Sequence, residues 1–434
     1  MKTSENKKAI KIALLGAGTV GGGVYKLVHE LKDELKSRVG AEIIIKKVLV
    51  RDASKERPGF DKNVLTSDWA SILNDEEIEI IVELMGGIEP AKTYVIEAFN
   101  AGKQVITANK DLLAEYGEEI DAAADKNKCD LLFEAAVAGV IPILRPLKQS
   151  LAGIEVSEIL GIVNGTTNYI LTKMSETGMS YEEALAKATE LGYAEADPTA
   201  DVEGLDAGRK AAIMASLAFH SRVLFSQVYT EGITKITSED ISYAKEFGYV
   251  IKLIAMARNT ADGIEVKVHP MLIPNDHSLA NVRDAFNAVF IHGASIDDIT
   301  FMGRGAGEMP TASAVMGDIV DVCRNIMYDS CGRIGSYCYK ELPIKAPGDC
   351  ISRFFLRLKV EDKPGVLANI AGILGSNGVS IAQVVQKSSL DGIAELVIIT
   401  SDVCEKNFND SLNLFKVMSV VKEISGVIRV YSSK

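Results

Sequence analysis

The sequence predicts an α/β chain in three parts: a doubly wound nucleotide-type domain, an α+β domain, and a terminal βαββαβ unit. Three observations predict it. Short apolar runs alternate with helical patterns up to residue 141. A glycine-rich turn joins the first run to the first helix. The last eighty residues restart with a strand–turn–helix pattern of their own.

The first strand is the apolar run at 10–15, ending at Gly16. A helical stripe of Val20, Val24, Leu27, Val28 and Leu31 follows to about Arg38. Further strands are expected at Ile43–Val50, Ile78–Leu84, Val105–Thr107 and Leu131–Glu134, with helices at Ala91–Asn100 and Tyr116–Lys126 between them. Beyond Pro142 the pattern changes. Helices are expected at Ser180–Leu191 and Glu203–Phe219, and strands near Glu155–Val163, Ile264–Pro270 and Asn287–Gly293. A helix at 311–326 returns to complete the first domain (1–141), leaving 142–310 as the second. Residues 337–350 read as a linker. The segment 351–434 then reads as strand Arg353–Val360, helix Val366–Asn377, strands Val379–Lys387 and Ala394–Thr400, helix Asn407–Lys422 and strand Val427–Ser432.

Composition removes several function classes. The net charge of −12 argues against nucleic acid or an anionic membrane as the main partner. No run reaches about 18 uninterrupted apolar residues, so no membrane span is expected. The opening MKTSENKKAIK lacks the apolar run of a secretory signal. Six scattered cysteines form no C-x-x-C pair, which fits reduced thiols in the cytoplasm.

Gly16, Ala17, Gly18, Thr19, Val20 and Gly21 fit G-x-G-x-x-G between a strand and a helix. There Gly16 permits the tight turn, Gly18 lets a pyrophosphate approach, and Gly21 lets helix pack on strand. The helix N-terminus adds N–H donors and positive dipole for phosphates. The second strand ends in Arg51, with Lys55 and Arg57 nearby, where an NAD-specific site carries an acid. A guanidinium suits a 2′-phosphate, so NADP is predicted, with NAD still open.

A second candidate site lies at 191–210. The loop carries Glu195, Asp197 and Asp201, and the next helix carries Asp206 and Lys210, four apart on one face. A free amino acid needs carboxylates for its ammonium, and alcohol oxidation needs a group to take the hydroxyl proton. A lysine can do this when its surroundings lower its pKa. Spacing alone favours an ordinary exposed ion pair, which is common and worth little. Lys110 follows a predicted strand's carboxyl end, where ligands of open α/β sheets sit.

Together these segments resemble homoserine dehydrogenases over nearly the whole chain. The match runs through the Gly16–Gly21 loop, 83–87 (ELMGG), 107–110 (TANK), 134–137 (EAAV), 164–168 (NGTTN), 192–198 (GYAEADP), 204–210 and 303–307 (GRGAG). The resemblance implies NAD(P)-dependent interconversion of L-homoserine and L-aspartate 4-semialdehyde, on the route to threonine, isoleucine and methionine. It implies Lys210 as proton donor and acceptor, with Lys110 at the reacting oxygen and the nicotinamide end of the cofactor. Glu195 and Asp206 match the homoserine-binding acids, and Gly307 a second cofactor contact. It also implies a monovalent cation, usually sodium, at Glu134, Val137, Gly139 and Ile141, where Val140 departs from the family's usual glycine. The segment 351–434 resembles an ACT domain, with Asp362-Lys363-Pro364-Gly365-Val366-Leu367 as its turn. That implies L-threonine as a feedback effector, with dimerisation alone as the other reading, in a homodimer or homotetramer. Two competing functions stay in view. An aspartate-semialdehyde dehydrogenase needs a nucleophilic cysteine. A non-catalytic amino-acid sensor needs none of the lysines and acids above.

Overall fold

The computed structural model describes residues 7–335 and 337–432. Residues 1–6, part of the stretch read for a targeting signal, lie outside them, as do the last two residues of the terminal segment. The chain folds as two compact units. One comprises the chain up to Val156, Arg209–Ser226 and Asn287–Leu342; the other comprises Ser157–Gly208, Gln227–Phe286 and the chain from Pro343.

The first unit is built on a six-stranded parallel sheet. Its strand order is Leu65–Thr66, Glu42–Leu49, Ala9–Leu15, Ile78–Glu83, Gln104–Thr107, Leu131–Leu132. The order reverses between Ala9–Leu15 and Ile78–Glu83, so the crevice at their carboxyl ends is where such a sheet binds ligand. These strands read as apolar runs because helices cover both faces. Ile12, Leu14, Val24, Val28, Val315 and Ile319 form one core cluster, and Leu15, Ile81, Val95, Phe99 and Ile120 belong to the other.

Several boundaries differ from the sequence expectation. The first helix is two, Thr19–Glu30 and Lys32–Val39, meeting at Leu31. The helix expected from Tyr116 starts at Lys110, because the Asn109 side chain accepts from Leu112 N and caps it. The last strand stops at Leu132, because Glu134 turns back to bind later backbone amides. The returning helix, Glu308–Met327, packs on Thr19–Glu30 so closely that a Cβ on Gly23 would lie 2.8 Å from Ala312 Cβ.

In the second unit the strands Glu158–Ile162, Tyr249–Thr260 and Gly263–Pro274 pair antiparallel in that order. Tyr249–Thr260 and the helices Gly165–Thr177 and Ser238–Glu246 are elements that the sequence reading left unassigned. The strand is buried on both faces from Ile251 to Ala257, so a clean period-2 alternation is missing.

The terminal segment has the expected βαββαβ order. Its sheet runs Val421–Val430, Ile351–Glu361, Ile393–Thr400, Ile381–Leu390, all antiparallel. The second helix is Glu405–Val417, shorter than expected, and Lys422 belongs to the last strand. Phe408 stacks on Phe354 at 3.9 Å, within a core that includes Ile370, Leu374 and Phe415. This sheet does not stand alone. Its Val421–Val430 strand also pairs in parallel with Gly263–Pro274, with Met271 opposite Arg429 and Leu272 opposite Val430. Arg357, 3% exposed, donates to Asp240 at 3.0 Å and to Glu395 at 2.8 Å, tying the sheet to helix Ser238–Glu246. Ahead of it, Ile344 in the irregular stretch forms a bridge with Ile264.

Candidate active site

The glycine turn sits at the reversal point of the parallel sheet. Gly16 has φ +114, and a Cβ there would lie 2.8 Å from Leu84 O; at Gly21 it would lie 2.3 Å from Gly16 O. Both positions therefore admit only glycine. A Cβ on Gly18 would meet nothing within 4 Å. Gly18 is also the residue that opens helix Thr19–Glu30, with no side-chain cap and no acid in the first turn. The helix amides beside Ala17, Thr19 and Val20 thus start next to open space and suit a pyrophosphate. Arg51 is exposed just past the end of strand Glu42–Leu49. Gly307, with φ +124, opens the returning helix, and Glu308 O would lie 3.2 Å from a Cβ on Gly23. Gly307 therefore stands beside the second turn of the cofactor-loop helix.

Lys110 is the first residue of helix Lys110–Asn127, and a buried scaffold holds that end. Asn109 Nδ2 donates to Gly87 O at 2.6 Å. Glu83, wholly buried, accepts from Thr107 Oγ1 at 2.6 Å and from Met85 N at 2.7 Å. Burial pushes its carboxyl up from the usual range, against those donors. Lys210 lies on helix Leu205–Phe219, one turn after Asp206. Arg209 Nε pairs with Asp111 Oδ1 at 2.8 Å. The immediate neighbour of Lys210 is therefore ion-paired with the immediate neighbour of Lys110. Sequence reading missed this pair, since the partners lie about a hundred positions apart.

The acid loop is held from one residue. Asn164 Nδ2 donates to Asp201 Oδ1 at 2.7 Å and to Asp206 Oδ2 at 2.9 Å, while its Oδ1 accepts from Thr167 N at 2.9 Å and caps helix Gly165–Thr177. One amide therefore gathers two carboxylates into a cation-seeking pair. Thr166 Oγ1 donates to Tyr193 O at 2.7 Å, which anchors the 191–198 loop to the same helix end. Glu195 is exposed on that loop and Asp206 is 8% exposed. Asn164 has no role in the sequence reading, although its place just ahead of helix Gly165–Thr177 is the available signal.

The Glu134 loop suits carbonyl rather than carboxylate ligation. Both Glu134 carboxylate oxygens are engaged, accepting from the amides of Ile143, Leu144 and Arg145 at 2.5, 2.8 and 2.7 Å. Among the described residues no group of three His, Cys, Asp or Glu side chains could hold a metal. The turn itself uses left-handed backbone at Ala138 (φ 58) and Gly139 (φ 61). Gly139 is obligatory, because a Cβ would lie 2.4 Å from Gly305 O. Val140 is not among the left-handed residues, so its side chain imposes no backbone strain. Behind the loop, burial pushes the Asp318 carboxyl up to about 7, against the pull of Arg145 at 2.5 Å.

Five of the six thiols are poor nucleophiles. Burial pushes Cys129, Cys338 and Cys350 up to about 11 and Cys331 up to about 12, and Cys323 is raised further. Thioester chemistry thus has no support at these positions.

Comparison with known proteins agrees with the geometry. The homoserine dehydrogenase family description matches residues 142–320, its NAD-binding domain 16–134, and the ACT domain 354–416. The homoserine dehydrogenase of Bacillus subtilis is 43% identical over 426 residues, covering 98% of each chain. The crystal structure of a homoserine dehydrogenase from Thiobacillus denitrificans superposes with a TM-score of 0.93 at 40% identity, over 98% of this chain and 99% of that one. A hyperthermophilic archaeal homoserine dehydrogenase mutant in complex with NADPH matches 72% of this chain and 97% of its own, with 26% identity and a TM-score of 0.61. With identity of this order over nearly its full length, the chain belongs to the homoserine dehydrogenase family.

Proposed function

We propose that this chain interconverts L-homoserine and L-aspartate 4-semialdehyde with NADP as its preferred cofactor, using Lys210 as the proton donor and acceptor. The observation that carries this reading is the Arg209–Asp111 ion pair. It ties the turn that bears Lys210 to the helix end that bears Lys110, at the cofactor domain's ligand-binding edge. A nicotinamide dinucleotide bound on the Gly16–Gly21 turn supplies or accepts the hydride. The chain's own residues do the rest. Glu195 and Asp206 hold the substrate ammonium and hydroxyl, with Asn164 keeping Asp206 in place. Lys210 Nζ takes the hydroxyl proton as the carbon is oxidised and returns it in the reverse direction. Lys110 supports the reacting oxygen with positive charge. Arg51 receives the 2′-phosphate, and Gly307 closes the cofactor site from the returning helix.

Further assignments follow from the same reading. Residues 1–141 with the helix at 311–326 bind cofactor, 142–310 bind substrate and form a dimer contact, 337–350 link, and 351–434 sense an effector, L-threonine. The carbonyls of Val137, Gly139 and Ile141, with that of Glu134, suit a hard monovalent cation such as sodium, held structurally. Met302, 57% exposed on strand Asp297–Arg304, fits a face covered in a homodimer or homotetramer. Six cysteines outside any disulfide, with Cys129, Cys323 and Cys350 buried, fit a reducing cytoplasm. The test is a steady-state assay of Lys210→Ala. Turnover should fall by about 10²–10⁴-fold with little change in the KM for NADP. Undiminished turnover would refute the mechanism.

A further inference from the structure

The terminal domain reaches the substrate loop through a run of direct contacts that the proposed catalytic roles leave unused. It starts at Glu405, 1% exposed, on the terminal domain's second helix. Its carboxylate accepts from Arg429 Nε at 2.9 Å and Nη2 at 2.7 Å, and also from Lys267 Nζ and Ser352 Oγ, each at 2.7 Å. A two-pronged grip of this kind fixes the guanidinium plane. The remaining Arg429 nitrogen, Nη1, donates to Glu231 Oε2 at 3.0 Å, and the guanidinium lies 5.1 Å from the Tyr229 ring.

Glu231 begins a strap that lies directly on the acid loop. Its N–H donates to Val268 O at 2.7 Å, extending the Tyr229–Thr230 strand. At Gly232 an added Cβ would lie 2.1 Å from Val202 O and 2.5 Å from Glu203 Cα, so strap and loop touch backbone to backbone. Ile233 N donates to Val202 O at 2.8 Å, and Thr234 Oγ1 to Glu203 Oε1 at 3.1 Å. Gly204, left-handed at φ +79, follows, and its N–H donates to Asp201 O at 3.0 Å. Helix Leu205–Phe219 then begins, with Asp206 in its first turn.

We infer that Arg429 and Glu231 are positioning residues for substrate: Arg429, gripped by Glu405, pins the Glu231–Ile233 strap, and the strap fixes the Val202–Gly204 turn that carries Asp201 and Asp206. The inference rests on the reading that places homoserine at Asp206. It makes the terminal domain a working part of the substrate site in this chain. The side-chain links at Arg429 and the backbone contacts at Gly232 and Ile233 are contiguous, which gives a shift at one end a physical route to the other.

The test uses the full-length protein, four variants of the link and an Asp206→Asn control. Glu231→Gln keeps the Arg429–Glu405 grip and loses only the charge of the link; Arg429→Met removes the grip; Arg429→Lys keeps the charge without the fork; the double variant removes both ends. Each single loss should raise the KM for homoserine about tenfold while the KM for NADP stays within twofold. The double variant should be no worse than Arg429→Met, and Arg429→Lys should fall between. Amide exchange in 199–206 should quicken in Glu231→Gln. An unchanged homoserine KM and unchanged exchange in Glu231→Gln would overturn the inference, whether or not Arg429→Met folds. An Asp206→Asn control separates the two readings. If it leaves the homoserine KM unchanged, the placement of substrate is wrong, and the positioning role falls with it. If Asp206→Asn raises that KM and Glu231→Gln does not, only the positioning role is wrong.

Discussion

Gly18→Ala and Gly21→Ala should separate cofactor binding from folding within a single turn of helix. At Gly21 the new methyl would sit 2.3 Å from Gly16 O, a backbone atom that cannot rotate aside. Overpacking of this kind costs up to about 3 kcal/mol, and alanine returns about 1 kcal/mol of helix propensity. The net loss is about 2 kcal/mol, or roughly 4–8 °C in Tm for a unit of this size. At Gly18 the methyl meets nothing within 4 Å, and the backbone (φ −81, ψ −162) is open to alanine. Only the weaker helix-opening preference of alanine counts, at most about 1 kcal/mol. The methyl would instead occupy the space into which a pyrophosphate must come. Losing one or two charge-assisted hydrogen bonds there costs about 1.5–3 kcal/mol, or roughly 10–150-fold in NADP affinity. Thermal melts of both variants, with NADP titrations followed by fluorescence, measure the two quantities independently. Gly18→Ala binding NADP as wild type does, or melting as low as Gly21→Ala, would refute the reasoning.

Three further outcomes are expected. Arg51→Ala should raise the KM for NADP roughly tenfold or more and leave that for NAD within twofold, since only the former offers a 2′-phosphate to a guanidinium; equal losses in steady-state assays would remove the basis for NADP preference. Threonine added during homoserine oxidation should inhibit and raise Tm, and the absence of both effects would leave the ACT domain without that effector. Glu405 should show in acid stability. Burial alone would raise its carboxyl, but Arg429 and Lys267 bring it down to about 2, below its ordinary 4.5. A carboxyl lowered on folding stabilises above its unfolded pKa, so its contribution of about 3 kcal/mol should be complete above pH 4.5 and fade between 4.5 and 2. Denaturant unfolding at pH 7, 4 and 3 measures this, and Glu405→Gln should flatten that part of the profile.

What the sequence disclosed follows how local each signal is. The Gly16–Gly21 turn was legible because strand, glycines and helix are contiguous in the sequence. The helix at Lys110 was read six residues late, although Asn109 caps it, because a polar cap followed by Lys and Asp also describes a loop. The helix expected to run through Lys422 stops at Val417 because the valines beyond it serve a strand equally well. The ties that shape the site were not legible at all. Asn164 meets Asp206 across 42 positions, Arg209 meets Asp111 across about a hundred, and Arg429 meets Glu231 across 198. Periodicity carries no information about such partners; only the packed fold brings them together.

The parallel pairing of Val421–Val430 with Gly263–Pro274 also limits how copies of the chain can associate. A four-stranded ACT sheet has two rims, and two unsatisfied rims invite open-ended stacking. Here one rim is consumed within the chain, which leaves Ile381–Leu390 as that sheet's outer strand. Two copies joined along that strand about a twofold axis would use the same patch on both sides and leave nothing over. Growth through the terminal domain's own strands would therefore stop at a closed pair, and any larger assembly must draw on a different surface.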